Sequence, residues 1–423
     1  MSIRSSLVIL DALAAWSCSQ DAEVVTPSKT AEWFLSETNP IRPSMRAAIE
    51  GVYRVVEGQG MFGDLAALKW SYVANGPDTT HLLSGFFGRD VAFFELEGGT
   101  LDSVFFFAGT WRKMVNTETG LVRITITRSQ GGAQLFQPLP VIGRDSITLV
   151  GGWGSGNDNP STTMVLRYDR PLYQATRLEI VAHRGGGRTS DLLPVSENSV
   201  EMVQYTGRLG STGIEIDIHI TKDGVPILYH DSNLNLRLTQ KSGLVGPVEE
   251  YTYAQLQGLV RLIHGERIPT LQEVLDAALY QTGLRFVWLD MKAVQASMPL
   301  IREIQKEYES KAAAAGREFE VLIGLPTQDK VDEFLTLPDY QQAGALCELD
   351  VEKVRQTNAR IWGPRWTEGT QNELVAQMQG EGRRVFVWTL DVPSYVQEYI
   401  ANGRFDGILS NYPTIVAYYH YVR

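Results

Sequence analysis

The chain has 423 residues, 43% of them hydrophobic and 10% aromatic, and a formal net charge of −11. This length suffices for two domains, or for one large barrel with an extension, and the composition is that of a globular protein. The acidic balance and the lack of any Lys/Arg run argue against nucleic acid as a partner. An acidic chain that binds an anionic substrate would need a local positive charge, such as a metal ion.

The first residues predict export. Arg4 precedes an apolar stretch, and small residues stand before Cys18, as in a bacterial lipoprotein signal whose cysteine is lipidated. We expect residues 1–24 to hold this signal and the start of an exported, periplasmic or membrane-anchored chain. A frayed tail on a soluble protein is the alternative. A lipid at Cys18 would be the only membrane contact, because no later stretch approaches the ~20 apolar residues that span a bilayer.

Residues 25–175 predict a linker and then a β-rich accessory domain. Prolines at 27, 40 and 43 indicate a linker over 25–45. Over 46–175, β-branched and aromatic runs such as "GVYRVVEG" and "LVRITITRS" alternate with glycine and asparagine, which is typical of an antiparallel sandwich or barrel. We assign the aromatic residues there to the core and find no catalytic constellation. With only two cysteines in the chain, a disulfide framework or thiolate zinc site is not expected.

Residues 176–423 alternate strands with helices. Apolar strands such as "RLEIVAH", "LRFVWLDMK" and "RRVFVWTLD" are separated by helical segments, one of which begins at Thr270 as N-cap. Strand and helix repeated over roughly 240 residues predict a (β/α)8 TIM barrel, whose usual length is about 250. A doubly wound sheet is the alternative, but no glycine-rich dinucleotide fingerprint follows the first strand.

Ionisable residues gather at the ends of these predicted strands. In "GIEIDIHITKDG", residues 213–224, Glu215 and Asp217 share one face of a strand because side chains alternate. The chemistry of such barrels lies at the carboxyl ends of the strands. We therefore expect seven side chains to meet there: His183, Arg184, Glu215, Asp217, His230, Asp290 and Lys292.

Three carboxylates packed together need a counter-charge. Like charges about 4 Å apart repel by roughly 4 kcal/mol at an effective dielectric constant of 20. A hard divalent cation removes this conflict, and oxygen ligands without thiolates suit Mg²⁺, Ca²⁺ or Mn²⁺ better than zinc.

Several ordered motifs carry a family resemblance. "HRGG…SEN" (183–198), "EIDIHITKDGVPILYHD" (215–231), "IPTLQEVL" (268–275), "LDMK" (289–292), "VWTLD" (387–391) and "DGILSNYP" (406–413) together resemble the glycerophosphodiester phosphodiesterase family over about 178–420. The resemblance implies hydrolysis of glycerophosphodiesters to an alcohol and glycerol 3-phosphate. In the family's usual scheme the substrate's glycerol hydroxyl attacks, and water opens the resulting cyclic phosphate.

The resemblance also implies residue roles. His183 and His230 match the paired catalytic histidines, and Arg184 and Lys292 match residues that contact the phosphate. The implied ligands of one divalent cation, Mg²⁺ or Ca²⁺ with Mn²⁺ as a further option, are Glu215, Asp217 and Asp290. A small glycerophosphodiester is the implied partner.

The chain departs from the family pattern at three positions. The third ligand is often glutamate, whereas Asp290 reaches roughly 1.5 Å less, one C–C bond. Aspartate also occurs there in related sphingomyelinase D-type lipases, so a phospholipase D-like enzyme acting on lysophospholipid or sphingolipid is the alternative. Ser196 replaces a proline, and Asn411 replaces an aspartate, which we expect to matter for fold more than for chemistry. An inactive phosphodiester-binding barrel would lack a histidine or a ligand, and this chain lacks neither.

Four further residues have two interpretations each. Glu197 and Asn198 open a helix, so they either brace the His183 loop or touch the metal. His219 is either a hydrogen-bonded barrel histidine or a ligand. Trp388 either fills the barrel or forms a wall for the substrate.

Overall fold

A computed structural model describes residues 33–114 and 118–423, and it shows two closed barrels that follow one another along the chain. The predicted signal over 1–24, with Cys18, lies outside the described residues. Among the residues described, no helix is long and apolar enough to cross a membrane.

The first barrel has eight antiparallel strands, so of the two predicted all-β architectures the barrel is correct. The strands are β1 (Gly51–Glu57), β2 (Leu65–Asn75), β3 (Asp78–Phe87), β4 (Ala92–Leu101), β5 (Val104–Lys113), β6 (Thr119–Ile126), β7 (Thr148–Ser155) and β8 (Thr162–Arg170). Each strand pairs with the next, and β1 pairs with β8 to close the ring. Aromatic residues fill the core as predicted, with Trp111 edge-on to Phe62 and Trp153.

The second barrel is the predicted (β/α)8 barrel. Its parallel strands are β9 (Glu179–Ala182), β10 (Gly213–Ile220), β11 (Phe286–Met291), β12 (Glu320–Leu325), β13 (Ala345–Cys347), β14 (Ile361–Trp362), β15 (Arg384–Val387) and β16 (Gly407–Ser410). β9 pairs with both β16 and β10, which closes the ring. β10 is buried along its whole length, because a strand of this barrel has the interior on one side and the surrounding helices on the other.

Helices connect and cover the strands. The helices of the described residues are α1 (Pro43–Ile49), α2 (Gln59–Phe62), α3 (Gly132–Leu135), α4 (Val200–Tyr205), α5 (Tyr253–Leu259), α6 (Leu271–Asp276), α7 (Met298–Ala314), α8 (Gln328–Leu335), α9 (Val351–Gln356), α10 (Asn372–Gly380), α11 (Pro393–Asn402) and α12 (Pro413–Tyr421). Thr270 caps α6 as predicted, since its side chain accepts a hydrogen bond from the Glu273 backbone N–H.

The interior of the second barrel is layered. One apolar cluster inside the barrel, with members from every strand except β10, consists of Val181, Phe286, Trp288, Leu322, Leu346, Ile361, Phe386 and Leu409. Side chains alternate along a strand, so the residue two positions later also faces inward, nearer the carboxyl ends. Nearest those ends, the inward-facing positions are His183, Asp290, Gly324, Glu348, Gly363, Trp388 and Asn411, which we call the upper layer together with Glu215 and Asp217 of β10.

An insertion after β10 carries the second predicted histidine. Gly224 turns the chain at φ +83°, a conformation that glycine adopts without strain. The strand Pro226–Leu228 then returns antiparallel to the end of β10, which leads His230 back over the mouth of the barrel. The insertion has its own apolar core: Ile227, Tyr229, Leu234, Leu238, Val248, Leu256, Val260, Leu262 and Ile268.

The two barrels share buried structure. Val52 and Phe86 of the first barrel belong to the same apolar cluster as residues of the second, such as Leu209 and Val416. The buried Arg112 guanidinium of β5 also donates hydrogen bonds to the carbonyl oxygens of Asp191 and Leu192, at 2.7 and 2.5 Å. These carbonyls lie in the loop that follows His183, so the first barrel braces that loop.

We expect Arg112→Leu to lower the free energy of unfolding by about 2 kcal/mol, because two sheltered carbonyl oxygens lose a charged donor. Denaturant titration measures the change. Arg128→Leu, at an exposed site of the same barrel, is the control and should change stability by less than about 0.5 kcal/mol. Equal stabilities of the two variants would contradict the bracing contact.

Candidate active site

Three carboxylates meet inside the mouth of the second barrel. Glu215 and Asp217 project from β10 and Asp290 from β11, and the strand register places Asp217 opposite Asp290. Their ligand oxygens lie within 4.8 Å of one another. Each residue also keeps one buried oxygen without a hydrogen-bond partner: Glu215 Oε1, Asp217 Oδ1 and Asp290 Oδ1. The structure therefore brings the predicted ligand set together.

The charges of this group are not balanced by protein cations alone. Burial, and then the Asp217 charge, raises the pKa of Glu215 well above its usual range. Burial also raises the pKa of Asp290, with Asp217 adding to it and Lys292 opposing it. Lys292 Nζ lies 2.5 Å from Asp290 Oδ2 and 3.5 Å from Asp217 Oδ1. Although burial disfavours its charge, these carboxylates raise the pKa of Lys292. One ammonium does not neutralise three carboxylates, so the group can also bind a hard divalent cation.

His183 lies at the carboxyl end of β9 in a fixed orientation. Its Nδ1 is 2.7 Å from Asn411 Oδ1, and the Asn411 amide group donates to Asp391 Oδ2 at 2.6 Å. The amide oxygen therefore accepts the hydrogen of His183 Nδ1, which leaves Nε2 with a lone pair, 3.7 Å from Glu215 Oε2. Burial, followed by the Arg184 charge, lowers the pKa of His183 to about 4. The sequence led us to expect that Asn411 matters for the fold more than for the chemistry. In the structure it contacts a predicted catalytic residue.

His230 has a charged partner instead. Its Nδ1 is 2.6 Å from Asp231 Oδ1, while the Arg184 guanidinium donates to its Nε2 at 2.8 Å. Burial works against ionised Asp231, but hydrogen bonds from Arg237 and His230 lower the pKa of Asp231 to about 2. His230 Nδ1 thus faces a carboxylate, whereas His183 Nδ1 faces a neutral amide oxygen. The two histidines are therefore held in electrostatically different settings.

Arg184 connects these groups. Its backbone has φ +53°, and its N–H donates to Glu215 Oε2 at 2.8 Å. Its side chain donates to Glu197 Oε1 at 2.9 Å as well as to His230. Glu197 also accepts from the Thr189 backbone at 2.5 Å, so it braces the His183 loop. The guanidinium stands at the mouth, where the sequence predicts phosphate contact.

For each of the other three residues with two interpretations, the contacts favour one of them. Asn198 donates to Asp217 Oδ2 at 2.8 Å and accepts from the Asp217 backbone at 3.1 Å, so it orients a predicted ligand. His219 is buried with Nδ1 2.7 Å from Glu249 Oε1 and lies outside the carboxylate group, which favours the structural interpretation. Trp388 donates to the Gly363 carbonyl at 2.7 Å and stands in the upper layer as a wall of the mouth.

Glu348 is an acidic residue of the barrel interior that the sequence analysis did not identify. It follows β13, two positions after the inward-facing Leu346, and its Oε1 is buried without a hydrogen-bond partner. Burial and the Asp290 charge raise the pKa of Glu348 to about 8. The alternation in "ALCEL", residues 345–349, puts Glu348 on the same face as Leu346 and could have indicated its position.

The raised pKa of Glu348 predicts pH-dependent stability of the metal-free protein. A glutamate of the unfolded chain titrates near 4.3, so between that value and about 8 the folded state binds one proton more. The free energy of unfolding should therefore fall as pH rises from 6.5 to 8, by about 1 kcal/mol per pH unit, and level off above. Denaturant titrations should show that Glu348→Gln loses this slope. Parallel pH curves for the two proteins would contradict it.

Parts of the chain are similar to known proteins. Residues 183–314 match the Glycerophosphoryl diester phosphodiesterase family. The chain is 28% identical over 202 residues to the glycerophosphocholine phosphodiesterase GPCPD1 of Homo sapiens, covering 44% of this chain and 28% of that protein. It is 26% identical over 247 residues to the glycerophosphodiester phosphodiesterase of Caldanaerobacter subterraneus subsp. tengcongensis, covering 55% of this chain and 94% of that one.

A glycerophosphodiester phosphodiesterase crystal structure from Parabacteroides distasonis aligns with a TM-score of 0.47 at 20% identity, covering 58% of this chain and 98% of that chain. The chain spans less than a third of the length of the human, rat and mouse relatives it matches. The family match begins at His183 and includes Arg184, both carboxylates of β10, His230, Asp290 and Lys292. The resemblance of this barrel to the glycerophosphoryl diester phosphodiesterase family, predicted from the sequence motifs, is therefore confirmed over residues 183–314.

Proposed function

We propose that the second barrel hydrolyses glycerophosphodiesters to an alcohol and glycerol 3-phosphate with the help of one divalent cation. The observation that carries the proposal is the meeting of three carboxylates, two oriented imidazoles, a guanidinium and an ammonium at one barrel mouth. The names of the matched relatives point to the same substrate class.

Glu215, Asp217 and Asp290 would hold the cation. Their unpartnered oxygens provide hard anionic donors, which suit Mg²⁺, Ca²⁺ or Mn²⁺. When bound, the cation would stabilise negative charge on the phosphoryl oxygens. The Arg184 and Lys292 side chains would position the phosphate beside it, since the Lys292 ammonium lies beside Asp217 and Asp290 and the Arg184 guanidinium donates to His230 at the same mouth.

His183 and His230 would move the protons. Each presents Nε2 to the mouth because its Nδ1 is held by an acceptor side chain. One imidazole takes the proton from the attacking glycerol hydroxyl, which forms a bond to phosphorus, and the other protonates the alcohol oxygen as its bond to phosphorus breaks. Water then opens the cyclic phosphate with the proton transfers reversed. Asn411 holds the His183 ring and Asp231 holds the His230 ring in place for these steps.

Release of glycerol 3-phosphate from glycerophosphocholine tests the proposal. We expect turnover that a chelator stops and that added Mg²⁺, Ca²⁺ or Mn²⁺ restores. Parallel assays use a lysophospholipid and sphingomyelin. Activity on those lipids alone would replace the proposal with the phospholipase D-like alternative, and no turnover of any substrate would favour a phosphodiester-binding barrel. The lipid anchor at Cys18 remains a separate prediction.

A further inference from the structure

We propose that Glu348 is a fourth carboxylate of the cation site, which acts on the cation through a bridging water rather than as a direct ligand. The inference rests on the proposed function, because it assumes that Glu215, Asp217 and Asp290 bind a cation. It concerns a residue outside the group whose oxygens lie within 4.8 Å of one another.

Glu348 faces the barrel interior, as the three carboxylates do. It follows Leu346 by two residues, Leu346 lies in the interior apolar cluster, and side chains alternate along a strand. The Glu348 side chain packs against Gly363, where a Cβ would lie 3.5 Å from Glu348 Cγ. Strand β12 lies between β11 and β13, and its Gly324 pairs with Leu346 of β13.

Gly324 has no side chain, and the Trp288 indole lies against it. A Cβ there would lie 2.5 Å from the Leu289 carbonyl oxygen and 2.7 Å from Trp288 Nε1. The Trp288 indole N–H therefore lies over β12, between β11 and β13. That N–H is buried and has no hydrogen-bond partner.

One donor and two acceptors of these inward-facing residues are left unpaired. They are Trp288 Nε1, Glu348 Oε1 and Asp290 Oδ1. Buried polar groups are rarely unpaired, and an internal water needs two to four polar partners. A hard cation commonly retains water in its shell. A water bonded to the cation would pair with Glu348 Oε1 and accept the Trp288 N–H. It would also fill the part of the cation's shell that the short Asp290 side chain does not reach.

Calorimetric titration of the metal-free protein with Ca²⁺ and with Mg²⁺ tests this role without reference to turnover. Loss of an outer hydrogen-bond partner weakens metal binding by roughly 10- to 100-fold, and we expect a loss in that range for Glu348→Gln. Asp350→Asn removes the same charge two residues away, where the exposed side chain caps α9 and asparagine caps equally well. It should bind within about twofold of wild type.

A second variant separates contact from charge. Glu348→Asp keeps the charge but withdraws the carboxylate by roughly 1.5 Å, so it should also weaken binding by about tenfold. Wild-type affinity in Glu348→Asp, or in Glu348→Gln with its folding verified by circular dichroism, would overturn the inference. Failure of the wild-type protein to bind either ion would overturn the cation site itself, which is a distinguishable result.

Discussion

His230→Ala should lower kcat/KM for glycerophosphocholine by at least 10²-fold while the melting temperature stays within a few degrees of wild type. His183→Ala should behave in the same way. Positioned proton transfer contributes about 10²- to 10⁴-fold to such reactions, and each ring occupies a prepared setting with its Nδ1 held by an acceptor. Steady-state kinetics with saturating cation measures the loss.

The matched control is His264→Ala. This histidine is on the same barrel and outside the group of predicted site residues. Its replacement should leave kcat/KM within about twofold of wild type. A near-native rate in either His183→Ala or His230→Ala would remove that residue from the proposed mechanism, whatever the control shows.

Glu215→Gln should abolish turnover and yet make the metal-free protein more stable. The variant removes a buried charge that Asp217 and Asp290 oppose, and the glutamine oxygen can still accept from the Arg184 N–H. We expect a gain of about 1 kcal/mol in the free energy of unfolding, typical of relieving a strained functional site. Because the folded-state pKa of Glu215 is raised, the gain should be larger at pH 8 than at pH 6.

Added cation should reverse this order of stabilities. Wild type gains stability with Ca²⁺ or Mg²⁺ in proportion to the logarithm of one plus the ratio of free cation concentration to Kd, whereas Glu215→Gln should gain little. Thermal melts with and without cation measure both effects. A metal-free Glu215→Gln protein that is less stable than wild type at pH 8 would contradict the repulsion on which the cation site is argued.

Much of the second barrel could be predicted because its signals are local. Alternation in "GIEIDIHI" places Glu215 and Asp217 on one face, and the structure shows them together with Asp290. Glu348 was not identified because β13 has only three residues, and Asp290, whose charge raises the pKa of Glu348, is more than fifty positions away. No local pattern indicates which strand of a closed ring will face another.

The first barrel shows the same limit. Its strands could be recognised one by one, but closure depends on pairing between β1 and β8, over one hundred residues apart. A sandwich and a barrel have the same short alternating runs, so composition cannot choose between them. The Asn411 contact was missed for a related reason, since its link to His183 spans 228 positions.

The apolar cluster that joins the barrels has a consequence for how this protein can be divided. A fragment that begins at residue 176 would expose to water the surface now covered by Val52, Phe86 and Phe93, and its loop carbonyls would lose Arg112. Exposed patches of this kind promote self-association. Expressed by itself, the second barrel should therefore aggregate, and domain-swapped chimeras would need another apolar surface to cover that face.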